Sequence, residues 1–337
     1  MRKKIFFCIL MIVSGYIYAA KLVSFPDIFK PIQIALDDTA IYISDQNKIR
    51  VYSLKDFKLL RTIGGYGEGP EEFLSAPKIK IQKDDVLLYS FTKFSRFTKN
   101  GKLLMEKKII GSILGDIYPI GENYIVQSTA YNVKWQQTEE INIFDKDLKK
   151  YKTIYSYTKQ PKTSDGKRIV QLINSPLFIQ FEANKIFLAD GKKEGCIEIL
   201  DSNGNFQKRV NIPFTRIKIP AEYSKMRERD FLKTYTGVQK EKILKIFQFV
   251  FPLYFPAIRD FIVDFDKIYI RTYVKMDKQD EYVILDLNGN LLGKVFLPEI
   301  QTETFTIYKN KLYFLKDNET EETWELHCLD IAKGNPK

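Results

Sequence analysis

The sequence predicts an all-β chain, a six-bladed β-propeller with four-stranded blades and a short helical insertion between blades 4 and 5. Three observations predict it. A strand–turn–strand unit occurs twice: Ile197-Glu-Ile-Leu-Asp201-Ser-Asn203-Gly204-Asn205 through Pro213 agrees with Tyr282-Val-Ile-Leu-Asp286-Leu-Asn288-Gly289-Asn290 through Pro298 at eight of seventeen positions. An Asn-Gly pair between two apolar runs is the strongest short-range hairpin signal. A short apolar core recurs six times, around Ile41, Leu87, Ile125, Ile186, Ile268 and Leu312. The spacings between these residues are 46, 38, 61, 82 and 44. Three of them approach the length of one blade, about 40–50 residues, and the other two read as blades with insertions.

The elements follow in order. Met1-Arg2-Lys3-Lys4, an apolar run from Ile5 to Val13, Ser14-Gly15 and Ala19-Ala20 have the layout of a signal peptide over residues 1–20. The run is too short for a membrane anchor, which needs about 20 apolar residues. The propeller then occupies 21–337. Each core follows a tight polar turn, such as Asp37-Asp38, Lys83-Asp84, Gly121-Glu122 or Ala183-Asn184, and a preceding apolar strand. Hairpins such as Lys99-Asn100-Gly101 and Asp145-Lys146-Asp147 complete the units. The last blade shows three strands, so Lys21–Phe25 is expected to return as its outer strand and cover an edge that would otherwise invite aggregation. Export implies an oxidising compartment. Cys196 and Cys328 fall in separate units and are expected to be buried free thiols.

In a propeller, the first-to-second and third-to-fourth strand turns share one face, and the remaining connections share the other. The long segments 64–77, 157–176 and 214–257, and the loops 128–138 and 272–281, all fall in the second set, here the upper face. Within the largest, Pro220–Tyr235 and Lys240–Phe251 have helical apolar spacing, giving a helical insertion over 221–251.

The segment Ile63-Gly64-Gly65-Tyr66-Gly67-Glu68-Gly69-Pro70-Glu71-Glu72-Phe73 resembles the Gly-x-Gly-Pro-Gly-Glu-Phe junction of six-bladed propellers of the NHL-repeat type, with Glu71 where Gly is usual. Phe251-Pro252-Leu-Tyr254-Phe-Pro256 with Val263-Asp264 is similar to a stretch in exported bacterial members of that superfamily. The resemblance implies the fold and leaves the ligand open.

Composition narrows the chemistry. With one His and, beyond residues 1–20, only Cys196 and Cys328, the chain cannot build the usual four-ligand His/Cys zinc site, a bis-His haem or a Cys₄ iron–sulfur site. A catalytic triad would rest on His327 in the last strand. Asp201-x-Asn-Gly-Asn and its copy at Asp286 lack the Gly and Glu positions of a calcium loop. Gly65–Gly69 lacks the Lys-Ser/Thr of a phosphate loop, and Pro70 removes a donor. No cofactor or metal is expected. The enzymatic alternative is a calcium-dependent lactonase/hydrolase-like propeller, which needs no His; its candidate carboxylates Glu182, Asp264 and Asp37 fall at lower turns.

The function expected is therefore that of an exported, non-catalytic binding or interaction module, in the periplasm, at the cell surface or in the medium. Its upper face would recognise a protein, glycan or small ligand of the cell envelope. Tyr66, Glu68, Tyr131, Trp135, Tyr254 and Arg259 pair aromatic area with charge on upper loops, and Arg259 is expected to point into the channel. The net charge of +11 falls to +8 without Arg2, Lys3 and Lys4. Eight Lys/Arg against three Asp between Asp145 and Arg168 suggest contact with an anionic surface through 146–168. Nucleic acid is not expected as a partner, and the chain is expected to be a monomer.

Overall fold

Apolar and polar residues alternate along most of the chain, and a period of two buries one face of a strand. In the computed structural model, which describes residues 19–90, 92–108, 115–131, 136–159, 163–164, 166–173, 177–191, 195–300 and 304–334, these strands build an all-β, propeller-like fold. Residues 1–20, expected from the sequence to be a signal peptide, lie outside the described residues but for Ala19 and Ala20.

β1 (Ala20–Phe25) precedes the first sheet, formed by β2 (Pro31–Leu36), β3 (Ala40–Asp45), β4 (Lys48–Ser53) and β5 (Leu59–Gly64). The second holds β6 (Lys78–Ile81), β7 (Asp85–Tyr89), β8 (Lys93–Thr98) and β9 (Leu103–Lys108). The third holds β10 (Gly115–Ile120), β11 (Asn123–Tyr131), β12 (Gln137–Phe144) and β13 (Lys150–Lys159). A small hairpin, β14 (Thr163–Ser164) and β15 (Lys167–Gln171), leads to the fourth: β16 (Leu177–Glu182), β17 (Lys185–Asp190), β18 (Cys196–Leu200) and β19 (Phe206–Asn211). Helices α1 (Ala221–Lys233) and α2 (Gly237–Ile246) and strand β20 (Phe247–Val250) come before the fifth, with β21 (Asp260–Asp264), β22 (Lys267–Met276), β23 (Gln279–Asp286) and β24 (Leu291–Pro298). The sixth takes β25 (Phe305–Tyr308), β26 (Lys311–Asn318), β27 (Thr323–Asp330) and, at its edge, β1.

The core lies between sheets. Val51 packs with Val86 across the first and second sheets, and Phe94 with Val126 across the second and third. Ile125 and Ile186 join the third and fourth, Ile197 and Phe261 the fourth and fifth. Leu297 and Ile307 join the fifth and sixth, and Ile43 and Leu326 the sixth and first. Each sheet thus buries both faces, one against each neighbour.

The returning outer strand is in place. β1 runs antiparallel to β27, from Ala20 opposite Cys328 to Phe25 opposite Trp324. Lys21 donates to Glu325 Oε1 at 2.7 Å, and the buried Phe25 ring lies 4.3 Å from that of Tyr52 in the first sheet. Cys196 and Cys328 are free; Cys196 is buried and Cys328 half-buried. His327 stacks on Phe314 and has Nε2 2.9 Å from Glu325, so the lone histidine is part of this closing sheet.

The repeated hairpins share a second contact. Gly204 sits so close to Ile154 of β13 that a Cβ there would lie 2.2 Å from its side chain, and Gly289 is similarly tight against Val210 of β19. Lys152 donates to Asn203 O and Lys208 to Asn288 Oδ1, while Lys107 of β9 reaches Lys146 O and Asp147. In three successive sheets, then, a lysine on the outer strand clasps the turn of the next. The Asp201 and Asp286 carboxylates accept hydrogen bonds from the backbone of their own turns, Asn203 and Asn205, Asn288 and Asn290.

Three expectations change. The helical insertion ends at Ile246, because Phe247–Val250 finds a strand partner in β15. Much of 128–138 and 272–281 is strand: β11 pairs with β12 out to Tyr131–Gln137, and β22 with β23 to Met276–Gln279. The basic run 146–168 is not one patch, since β13 separates its ends by about 30 Å at about 3.3 Å per residue. At the lower end Lys150 pairs with Glu140 at 3.1 Å. Among the described residues no helix is long and apolar enough to cross a membrane.

Hydrogen bonds from Lys21, Asn318 and His327 pull the Glu325 pKa down from 4.5 to about 2. A depressed carboxylate stabilises the fold above its unfolded value and stops doing so as pH falls through the folded value. Glu325→Gln is expected to cost about 1 kcal/mol at pH 7 by urea denaturation, with the difference from wild type shrinking between pH 4.5 and 2.

Candidate functional site

The lower turns, 37–39, 82–84, 121–122, 183–184, 265–266 and 309–310, are tight. At the opposite end the connections before and after the fourth sheet are joined to each other. β15 pairs in parallel with β20, Arg168 opposite Phe247 through Gln171 opposite Val250, and Lys167 donates to Leu244 O at 3.0 Å. α1 starts after Pro220, whose fixed φ suits a helix entrance, and has Glu222 in its first turn and Lys233 in its last, matching the helix dipole. Beneath this cap Ile173, Ile219 and Phe255 form a small apolar cluster. Phe255 stacks on Tyr273 at 4.4 Å and takes the edge of Tyr223 at 5.0 Å. Beside it Phe214, Ile217, Phe255, Tyr273 and Glu281 line a cleft of about 250 Å³.

The same end of the fifth sheet carries a charge network. Arg271 and Asp280 are both fully buried, and the guanidinium binds Asp280 Oδ2 through Nε at 2.8 Å and also through Nη2. Arg271 Nη1 lies 3.3 Å from Asp260 Oδ2, and Nη2 donates to Ile300 O. Arg259 Nη1 donates to Asp280 Oδ1 at 2.9 Å, and Lys275 binds Glu299. Among the described residues Asp260 Oδ1 is buried with no hydrogen-bond partner. Burial raises the Asp260 pKa despite the Arg271 charge, and burial also raises that of the Tyr273 hydroxyl, near Tyr223, Arg227 and Arg259.

The residues singled out in the sequence fall into separate places. Arg259 does not turn inward: its guanidinium reaches Asp280 on the third strand of the fifth sheet and is half-buried there. Tyr254 is partly exposed, with the Arg216 guanidinium 5.8 Å from its ring, and bridges to Lys218. Tyr66 and Glu68 lie on the connection between the first and second sheets, both exposed. That connection is ordered from within: the Glu72 carboxylate accepts the Gly69 amide at 2.9 Å and fills the space a Cβ on Gly67 would need. Phe73 is buried in the core between those two sheets. Glu71, where the resemblance places Gly, has φ +63°. Tyr131 ends β11 opposite Gln137, and Trp135 lies outside the described residues. The structure therefore brings Tyr254 and Arg259 to the fifth sheet's upper end and leaves Tyr66 and Glu68 at another connection. Sequence reading missed Asp260, Arg271 and Asp280; the only signal was the run of charges flanking a strand pair.

Glu182 and Asp264 end the first strands of the fourth and fifth sheets, at the lower turns, as the sequence places them. Burial and the Asp264 charge raise the Glu182 pKa, and burial raises that of Asp264. Burial would also raise Asp37, but hydrogen bonds from Lys99, Thr39 and Ala40 prevail and hold it low. Among the described residues no group of three or more His, Cys, Asp or Glu is arranged to hold a metal ion.

No protein-family model matches the sequence, and no curated protein is similar to it. Solved structures similar in fold include the Pan2 WD40 domain of Neurospora crassa, 10% identical with a TM-score of 0.42 over 92% of this chain and 90% of that one. Another is the AfRom2 CNH domain, 11% identical with a TM-score of 0.42 over 93% and 99%. A third is Hsv2 of Kluyveromyces lactis, 9% identical with a TM-score of 0.40 over 89% and 97%.

Two substitutions test the local physics. Asp280→Asn leaves the buried Arg271 poorly compensated and is expected to cost about 3–5 kcal/mol, whereas Arg259→Ala, at a partly exposed group, should cost about 1 kcal/mol; chemical denaturation distinguishes them. Glu71→Gly removes a left-handed non-glycine conformation and is expected to raise stability by up to about 1 kcal/mol, seen as a higher melting temperature.

Proposed function

We propose that this chain is an exported six-bladed β-propeller of the NHL-repeat-like type that acts as a non-catalytic binding module. Its partner is a protein or glycan of the cell envelope, engaged by the upper end of the sheets. The observation that carries this reading is the asymmetry of the connections. Lower turns are short and hold themselves together, while the upper end bears the joined cap, the 65–77 connection and the extended hairpins of the third and fifth sheets. Elaborated connections on a rigid scaffold are where binding usually resides. Exposed aromatic area at Tyr66 and Tyr254, beside Glu68 and Arg259, suits either partner. The cyclic sequence of six inter-sheet cores supports the blade number.

Affinity capture from envelope extract tests the reading. A partner should be retained by Leu60→Ser and Phe206→Ser, which alter exposed outer-strand positions near the lower turns. It should be lost or weakened at least tenfold by combined Tyr66→Ala, Tyr254→Ala and Arg259→Ala. Equal retention by both proteins would refute an upper binding face.

A further inference from the structure

The two joined connections carry a disproportion of charge. In sequence, 159–176 has four Lys/Arg against one Asp, and 214–257 has nine Lys/Arg against four Asp/Glu. Their net charge is +8, which equals that of all residues from 21 to 337; the remainder of the fold is neutral. Parallel pairing of β15 with β20 joins the described residues of these segments, 166–173 with Lys167 and Arg168 and 214–257, into one body that carries a net +7.

α2 is the most exposed element of that body. None of its residues is buried, although Val238, Ile243, Leu244 and Ile246 are apolar. Val238 is 67% exposed, Ile246 47% and Leu244 38%. Lys240, Lys242 and Lys245 are exposed and form no ion pair among the described residues. At about 100° per residue, Lys245, Val238, Lys242 and Ile246 fall side by side along one arc of the helix. Nearby Leu253 is 60% exposed.

An arc in which aliphatic tips alternate with ammonium groups fits one kind of surface best. A polyanion alone would use the lysines and leave the aliphatic groups in water. A protein groove takes a continuous apolar stripe at helical spacing, which α2 lacks. The boundary between phosphate headgroups and acyl chains accepts both, because lysine stems bury while their charges stay with phosphate. We propose that the cap docks on an anionic phospholipid surface, with α2 in the headgroup layer, Lys242 and Lys245 at lipid phosphates, and Val238 and Ile246 inserted between headgroups.

Vesicle co-sedimentation of the full chain tests this, the N-terminal apolar run being common to every protein compared. Wild type should bind vesicles of phosphatidylglycerol and phosphatidylcholine more tightly than vesicles of phosphatidylcholine alone, and lose the preference in high salt. Lys242→Gln and Lys245→Gln together should weaken binding to the anionic vesicles on the order of 30-fold. Val238→Ser with Ile246→Ser should weaken it at least fivefold. These groups are exposed, so melting temperatures should match wild type. Wild-type affinity in the lysine variant overturns the proposal. So does a lysine variant that fails while the Val238/Ile246 variant binds normally, the pattern of a simple polyanion site.

Discussion

Apolar contact between neighbouring sheets is the interaction on which everything else in this molecule depends. No sheet has a core of its own: Val51, Phe94, Ile125, Ile197, Leu297 and Ile43 each meet side chains from the adjacent sheet. Burial of this kind is roughly proportional to area and indifferent to direction. Direction comes from elsewhere, namely the lysine clasps that hold Asn203, Asn288 and the 145–149 turn against the preceding sheet. The apolar contacts supply cohesion, and at three successive junctions the clasps add a directed contact from one sheet to the next.

Because cohesion is spent on the sheet faces, the ends of the sheets are free to differ. At the lower end carboxylates such as Asp201 and Asp286 are consumed by their own turns. At the upper end of the fifth sheet they are consumed by arginines, with Asp280 serving both Arg271 and Arg259. Asp260 holds one oxygen to Arg271, and the other has no partner among the described residues. The cap is held by β15–β20 pairing and a small apolar cluster around Phe255, a thinner attachment than any sheet has to its neighbours.

The repeat was legible in the sequence because Asn-Gly turns and alternating Tyr, Ile and Leu are local signals, and so was β1 as the missing strand of an incomplete last unit. What the sequence hid is non-local. Phe247-Gln-Phe-Val fits a helix following Ile243, Leu244 and Ile246 as well as it fits a strand, and only the partner Lys167–Gln171, far away in the chain, decides. Lys278-Gln-Asp280-Glu reads as a polar turn. Extended pairing of β22 with β23 instead draws Asp280 into the interior, where Arg271 meets it. Arg259 was recognised as unusual from its place at a strand start, but its direction depends on that same buried carboxylate.

The pairing of β1 with β27 also bears on how the chain is made. Ala20–Phe25 is translated some three hundred residues before its partner Thr323–Asp330. Until then β1 is a strand without a sheet, and the cluster that holds Phe25 lacks Tyr313, Leu315 and Leu326. The first sheet must likewise wait for Leu326 before its outer apolar face is covered. Contacts of such long sequence separation form slowly, so assembly in order of synthesis would leave a sticky edge at both ends of a growing stack. Any segment that shields residues 20–25 from other chains during that interval would favour correct closure over exchange of the strand between two copies.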